Sequence, residues 1–181
     1  RVAQRAFVYL STVDVYAPTD DVHREDVTPA PGEAKGPYPV AKLISEAMVR
    51  ACAEGPLVLR PTALLGRDTR PNSLIRMLTE DDCELTLAAE SEFNYVLHAD
   101  IGDFIALALE QGLTGVYNLA SSGNVRLGEL ADRFGRSPRF GDFRYCVGRI
   151  DNAKAAALLP VFGRSSMETA EAFEKEIGAM T

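Results

Sequence analysis

The chain has 181 residues, of which 46% are hydrophobic and 25% charged, and its formal net charge is −7. This composition is ordinary for a globular domain with a hydrophobic core. The sequence contains no run of about 18 apolar residues, which excludes a membrane-spanning helix. Because an acidic protein repels phosphate backbones, we do not expect it to bind nucleic acid.

The cysteines and histidines bear on compartment and metal binding. Cys52, Cys83 and Cys146 are far apart and form no C-x-x-C motif. That pattern fits a reducing cytoplasm better than a disulfide framework. With His23 and His98 as the two histidines of the sequence, we expect no zinc site and no other metal site.

The first third of the chain predicts a strand, a long loop and a helix. Residues 6–10 are a nearly continuous apolar run, typical of a strand buried on both faces. Residues 18–37 are polar and rich in proline, which predicts a loop with a functional role. Residues 39–53 have helical periodicity, and Glu46 is placed to pair with Arg50. The apolar stripe of this helix consists of Val40, Ile44, Ala47, Met48 and Ala51.

Strands and helices alternate in the rest of the chain. Short apolar runs predict strands at 57–60, 84–87, 95–97 and 116–119, and periodic segments predict helices at 73–78, 100–111 and 127–134. Asp100, Asp151 and Ser165 are the predicted N-caps of helices. An alternation of this kind favours an α/β domain with a parallel sheet.

Tyr38 and Lys42 carry the clearest chemical signal. Four residues apart in a helix, they lie on one face, so the ammonium group can approach the phenol. Free tyrosine has a pKa near ~10, and a neighbouring cation lowers it toward the range in which a general acid–base works. Taken alone, the spacing more often marks a solvated helix face that begins with an aromatic residue.

Two hydroxyl residues strengthen the functional interpretation. Ser11 and Thr12 directly follow the first predicted strand. Ligands of open α/β sheets bind at the carboxyl ends of the strands, where such a hydroxyl would bind a substrate oxygen beside the tyrosine. The structural alternative is a threonine that caps the strand end through a local turn.

Five segments share the pattern of one known protein family: 7–16 (FVYLSTVDVY), 36–46 (GPYPVAKLISE), 59–62 (LRPT) with Gly66, 95–103 (YVLHADIGD) and 117–121 (YNLAS). They resemble the extended short-chain dehydrogenase/reductase family, in its NAD-dependent epimerase/dehydratase group. The resemblance covers nearly the whole chain and keeps the family's order. It implies an α/β fold made of the C-terminal part of a Rossmann-like parallel sheet plus a small mixed α/β substrate-binding lobe.

The resemblance also implies roles for individual residues. Tyr38 would be the catalytic acid–base, and Thr12 matches the family's catalytic serine or threonine. Lys42 would lower the pKa of Tyr38 and hold the nicotinamide ribose. The implied cofactor is NAD or NADP, and its predicted contacts are Ser11, Tyr38, Lys42, Pro61 and Thr62.

The family begins with a strand, a glycine-rich turn and a helix, whose backbone N–H groups cradle the pyrophosphate. No such turn precedes residue 7, so we expect the family's first ~100 residues, the nucleotide-binding units, to be missing from this sequence. We therefore expect weak or no cofactor binding by these residues alone. The predicted domains are residues 1–66, the remainder of the Rossmann-like domain, and 67–181, mostly substrate lobe, with 95–120 returning to the sheet.

The substrate is expected to be a small molecule, for which a nucleotide sugar is the candidate. Val13 beside Asp14 differs from the acidic pair of the family's dehydratases, which counts against that reaction. Neither Phe93 nor Asn94 supplies the arginine that commonly binds a diphosphate, although Arg67, Arg70 or Arg76 could replace it. Ala63 likewise replaces a common asparagine.

The resemblance further implies a homodimer that pairs through the helix at 39–53. A different class of function also remains open, namely a non-catalytic binding or regulatory protein that retained the fold, or an inactive fragment.

Other candidate sites have a simpler structural explanation. His98 near Asp100 could form a catalytic pair, but packing beside a helix start is the more common role of such a histidine. The acidic residues 80–82 resemble a carboxylate cluster for a metal, but adjacent carboxylates in a loop are usually solvated. Arg144 and Arg149 could reach an anionic ligand, although a surface charge is the more common role of such arginines.

Overall fold

The computed structural model describes residues 6–19 and 21–178, which form an α/β fold with parallel strands. The strands are β1 (Val8–Leu10), β2 (Val22–His23), β3 (Leu57–Pro61), β4 (Ala63–Leu65), β5 (Glu92–Phe93), β6 (Tyr95–Leu97), β7 (Gly115–Leu119), β8 (Val125–Arg126) and β9 (Arg149–Ile150). The helices are α1 (Pro37–Cys52), α2 (Ser73–Thr79), α3 (His98–Gln111), α4 (Leu127–Arg133), α5 (Ala153–Ala156) and α6 (Ser166–Gly178). In this part of the chain, no helix is long and apolar enough to cross a bilayer.

The main sheet has three parallel strands in the order β1-β3-β7. β3 is buried at every position because it lies between the other two strands, which confirms the strand predicted there. The strand runs through Pro61 rather than ending before it. Since Pro61 is the last residue of β3, its missing N–H removes no hydrogen bond from the interior of the ladder.

Three two-stranded pairs complete the topology. β4 and β6 pair in parallel, β5 and β8 pair antiparallel, and β2 pairs in parallel with β9. The strand predicted at 84–87 is wrong, because Glu84 and Leu87 make only isolated bridges to Arg139 and Phe143. The loop predicted at 18–37 contains β2 and a short 3-10 turn, so it is partly ordered by pairing with the C-terminal region.

The apolar side chains form two main clusters. One packs α3 against the main sheet and includes Leu59, Phe104, Leu119 and Phe162. The other packs α2, α4 and α6 together; its fully buried members are Leu65, Leu74, Leu127, Leu130 and Ala170. Because Leu65 of the first predicted domain joins the second cluster, the division at residue 66 stays a prediction.

Helix α1 begins two residues earlier than its periodicity predicts. Gly36 precedes it with φ +92°, a conformation that favours glycine. Pro37 and Pro39 both fall in the first turn, where a missing N–H costs no intrahelical hydrogen bond.

The buried face of α1 is not the predicted apolar stripe. Pro39, Leu43 and Glu46 are buried, whereas Ile44 and Met48 of the stripe are 56% and 62% exposed. The helix therefore turns a partly polar face to the protein and an apolar face to solvent.

Glu46 pairs with Arg50 as predicted, but its main partner is Arg60 in β3. Both Glu46 and Arg60 are almost completely buried, and the guanidinium donates to the carboxylate through Nε (3.0 Å) and Nη2 (2.8 Å). Arg60 Nη1 also donates to the Tyr16 hydroxyl (2.9 Å), which donates to Asn118 Oδ1 (2.7 Å). Burial alone would raise the pKa of Glu46, but the hydrogen bonds and charge of Arg60 hold it below its ordinary value.

The predicted helix caps have different outcomes. Ser165 is a true cap, since its N–H donates to Glu168 (2.7 Å) and its hydroxyl accepts from the Glu168 N–H (3.2 Å). Asp100 is not a cap, because α3 already begins at His98 and the Asp100 carboxylate pairs with Arg164 instead. Asp151 is not the N-cap of α5, because the next residue, Asn152, holds that position.

Removing the buried carboxylate of Glu46 tests how much its ion pair with Arg60 stabilises the fold. We expect Glu46→Gln to lower the free energy of unfolding by about 3 kcal/mol, because it leaves a buried guanidinium without its counter-charge. Glu80→Gln is the matched control. Glu80 pairs with Arg76, four residues earlier, but this ion pair lies on the exposed surface of the protein. Urea unfolding measures both, and equal small losses in the two variants would contradict the expectation.

Candidate active site

The site begins at the carboxyl end of β1. Ser11 and Thr12 follow the strand and are both buried, and the Ser11 N–H donates to the carbonyl of Leu59 (2.7 Å). The Thr12 hydroxyl accepts from the N–H of Asp14 (3.2 Å) and caps a 3-10 turn at Val13–Val15. The capping role foreseen as the structural alternative is therefore present, and it fixes the position of the hydroxyl at the strand end.

The first turn of α1 brings Tyr38 and Lys42 to the same place. Tyr38 is 55% exposed, and Lys42 Nζ lies 5.8 Å from the centre of its ring and 5.3 Å from that of Tyr9. The ammonium donates to the carbonyl of Leu10 (2.8 Å). That bond ties the helix start to the end of β1, so the four-residue spacing predicted the observed proximity.

The expected electrostatic effect of Lys42 on Tyr38 is not observed. The pKa of Tyr38 lies above its ordinary value, first because its hydroxyl is partly buried and then because the negative charge of Asp14 and the nearby Tyr9 disfavour the phenolate. A hydrogen bond with Thr12 opposes this shift. The Lys42 ammonium binds the Leu10 carbonyl and is not among the groups that shift the pKa of Tyr38, so its lowering of that pKa stays a prediction.

A cleft of about 330 Å³ opens beside Tyr38. One wall is formed by the turn after β1 and the start of α1, and the other by the segment 143–147. The polar and charged side chains that line it are those of Asp14, Tyr16, His23, Lys35, Tyr38, Arg144, Tyr145 and Cys146.

Arg144, which the sequence offered as a candidate contact for an anionic ligand, lines this cleft. Tyr145 also lines it but carries no sequence motif. Tyr145 donates to Asp14 across 131 positions of chain (3.4 Å), so no local pattern marks the contact.

Pro61 and Thr62 are buried at the end of β3. The Thr62 hydroxyl donates to Asn94 Oδ1 (3.0 Å), and its N–H donates to the carbonyl of Leu119 (3.1 Å). Proline has no N–H, so neither residue offers a free backbone donor. Their role as cofactor contacts stays a prediction.

The remaining candidates have structural roles. His98 contacts Thr69 (3.4 Å) and lies against Gly66, where any side chain would collide with its ring. Asp100 faces Arg164 rather than His98. Within residues 6–19 and 21–178, no group of three His, Cys, Asp or Glu side chains could hold a metal ion.

The comparison with protein families decides the relationship. The model of the NAD dependent epimerase/dehydratase family matches residues 1–120. The chain belongs to this family. A search of curated protein sequences found no significant match.

Solved structures show the same fold at low identity. UDP-glucuronic acid 4-epimerase from Bacillus cereus, in complex with UDP-glucuronic acid and NAD, is 21% identical with a TM-score of 0.73. A UDP-galactose 4-epimerase is 17% identical with a TM-score of 0.71, and covers 97% of this chain. The dTDP-4-dehydrorhamnose reductase from Bacillus anthracis, in complex with NADP, is 18% identical, with a TM-score of 0.72 over 94% of this chain and 66% of its own.

The chain spans only part of these proteins. The match to the B. cereus epimerase covers 97% of this chain but 62% of the epimerase chain. The match to the UDP-galactose 4-epimerase covers 64% of that enzyme's chain. The likeness thus places the described residues in the epimerase fold.

His23 is a buried titratable group at the wall of the cleft. It stacks on the ring of Tyr16 with the ring centres 4.9 Å apart, and it is 7% exposed. Burial lowers the pKa of His23 below its ordinary value of 6.5, although the negative charge of Asp21 partly opposes this.

The His23 shift makes stability depend on pH. Above pH 6.5 the imidazole is neutral in both states, and below it the unfolded chain binds the proton first. We expect the free energy of unfolding to fall as the pH drops from 6.5 through the lower pKa of the folded state. In His23→Gln this part of the slope disappears, whatever the variant's absolute stability. Urea unfolding between pH 5 and 8 measures it; an unchanged slope would refute the assignment to His23.

Proposed function

We propose that this chain carries the acid–base residues of an NAD(P)-dependent oxidoreductase or epimerase acting on a sugar nucleotide or a related hydroxyl or carbonyl compound. The observation that carries the proposal is the convergence of Thr12, Tyr38 and Lys42 at the carboxyl end of the parallel strand β1, where Tyr38 lines the cleft. Ligands of open α/β sheets bind at such ends. Membership in the epimerase/dehydratase family supports the same reaction class.

The residues around Lys42 fit a nicotinamide cofactor. An ammonium group has three donors, and in the described structure one of them binds the Leu10 carbonyl. Among the described residues no carboxylate pairs with Lys42, so its remaining donors suit the hydroxyls of a ribose. When bound, the nicotinamide supplies hydride exchange with a substrate carbon. Ser11, Pro61 and Thr62 are the further contacts that we propose for NAD or NADP.

Tyr38 is the proposed proton carrier. Because its pKa is raised, the phenol is neutral at rest and is ready to donate a proton to a substrate oxygen. In the opposite direction it must lose the proton, and the neighbouring Lys42 ammonium then stabilises the phenolate that develops. Thr12, which hydrogen-bonds Tyr38, is the residue that we propose orients the same substrate oxygen.

The charges of the cleft favour an anionic substrate. Lys35 and Arg144 both line it, and an arginine binds a phosphate oxygen pair well. Asn94 cannot do so, because its side chain is buried and bonded to the carbonyls of Ser121 (3.0 Å) and Gly123 (3.2 Å). Arg144 thus supplies the cation that positions 93 and 94 lack, which supports a nucleotide sugar.

Tyr38→Phe tests the chemistry. In a protein that turns over a nucleotide sugar, we expect kcat to fall by about 10²–10⁴-fold, the usual contribution of one general acid–base. Cofactor binding, followed by fluorescence of the reduced nicotinamide, should weaken much more in Lys42→Gln than in Tyr38→Phe, which keeps the ring and removes only the hydroxyl. Tyr9→Phe is the matched control, since it removes a neighbouring phenol that has no proposed role in proton transfer.

The same measurements separate the enzyme from a non-catalytic binding protein. Turnover that survives Tyr38→Phe refutes the proposed mechanism. A protein that binds no nicotinamide cofactor at all, in its longest natural form, refutes the enzyme proposal and leaves the binding or regulatory protein.

We also propose that the outward stripe of α1 pairs with a second copy of the chain. Ile44 and Met48 are large, apolar and mostly exposed, and exposed apolar patches mark interaction sites. The free thiols of Cys52, Cys83 and Cys146 agree with a reducing compartment, and we propose a cytoplasmic location.

A charged residue placed in the exposed apolar stripe of α1 tests the proposed dimer. We expect Ile44→Glu to convert a dimer into a monomer in sedimentation velocity, because pairing would bury an unpaired carboxylate. Leu109→Glu is the control, since Leu109 is equally exposed on a different helix. A monomeric wild-type protein, or dimers in both variants, would refute the interface.

A further inference from the structure

One carboxylate joins the two walls of the cleft. Asp14 Oδ2 accepts from the Thr12 hydroxyl (3.2 Å), and Asp14 Oδ1 accepts from the Tyr145 hydroxyl (3.4 Å). Thr12 belongs to the turn after β1, whereas Tyr145 belongs to the opposite wall. Asp14 is therefore a direct polar link between the Thr12 hydroxyl and the opposite wall of the cleft, formed by residues 143–147.

The second partner is held firmly in place. The N–H of Tyr145 donates to Ser91 Oγ (3.2 Å), and its carbonyl accepts from the N–H of Glu92 (2.8 Å). Its ring packs on Phe93 with the centres 4.8 Å apart, and Phe93 in turn stacks on Tyr95. The hydroxyl of Tyr145 is thus presented to Asp14 from a rigid support rather than from a free side chain.

The direction of the two hydrogen bonds follows from chemistry. An ionised carboxylate has no proton to give, so Thr12 and Tyr145 must be the donors. A hydroxyl has a single proton, and that of Thr12 is directed to Asp14. With that proton directed to Asp14, and with one lone pair taken by the Asp14 N–H, the Thr12 hydroxyl is held in one orientation beside Tyr38.

We propose that Asp14 is a positioning residue for the reaction proposed above, with Tyr145 as the residue that holds it in place. By accepting the Thr12 proton, Asp14 fixes the orientation of the Thr12 hydroxyl beside Tyr38. The inference rests on the proposed function for its catalytic meaning, but the contact itself can be measured without turnover.

The first measurement is a titration of Tyr38. NMR of protein labelled with ¹³C at the tyrosine ζ carbon follows the Tyr38 phenol with pH. Because the charge of Asp14 helps to raise the pKa of Tyr38, Asp14→Asn should move that titration to lower pH. Asp82→Asn, which removes an exposed carboxylate far along the chain, should not. An unmoved Tyr38 in Asp14→Asn overturns the proposal.

The second measurement is a double-mutant cycle. Asp14→Asn and Tyr145→Phe should have non-additive effects on the midpoint of urea unfolding, because both remove the same contact. Additive effects would show that the two residues do not act together and would overturn the role given to Tyr145.

The third measurement is kinetic and uses turnover of a nucleotide sugar. Asp14→Asn should lower kcat about 10-fold to 100-fold, as expected from misplacing a catalytic group, with the KM for the cofactor unchanged. An unchanged kcat, or a loss confined to KM, overturns the positioning role. If the wild-type protein has no turnover, the proposed function fails by itself, while the titration and the cycle still decide the Asp14 contacts.

Discussion

The buried pair of Arg60 and Glu46 is the interaction on which the rest of the structure depends. It joins the middle strand of the sheet to α1 by two hydrogen bonds. Removing two charges from water is costly, and only complete pairing offsets that cost. Tyr16 and Asn118 extend the pairing to the turn after β1 and to β7, so one connected set of polar groups aligns three parts of the fold.

This pair also positions the proposed chemistry. Lys42 and Glu46 are one helical turn apart, so the helix rotation that buries Glu46 also directs Lys42 toward the end of β1. There its ammonium binds the Leu10 carbonyl, next to Thr12 and Tyr38. Burial and then the negative charge of Asp14 raise the pKa of Tyr38, which favours the protonated phenol. In the proposed reaction this phenol donates the proton.

Helix α1 inverts the usual order of faces. A surface helix normally buries its apolar stripe, but here the inward face carries Glu46 and the outward face carries Ile44 and Met48. The inward face can carry a charge because Arg60 pairs with the buried Glu46 carboxylate. The outward face has no such partner within the described residues, which is why we assign it to a second copy of the chain.

The features that the sequence by itself determined are those decided within a few residues. The four-residue spacing of Tyr38 and Lys42, the Ser165–Glu168 cap and the largely apolar run of β3 depend on local geometry, and all three are present in the structure. The family resemblance extended this reach, because it placed Thr12 beside Tyr38 although the helix and the strand are far apart in sequence.

Only the tertiary structure decided the remaining features. Glu46 looked like one half of a surface pair with Arg50, and its burial depends on Arg60 in another element. The segment 84–87 has strand-like residues but no continuous partner strand. Asp14 meets Tyr145 across 131 positions. Long-range contacts of this kind leave no periodic trace in a sequence, because they depend on how separate elements are brought together.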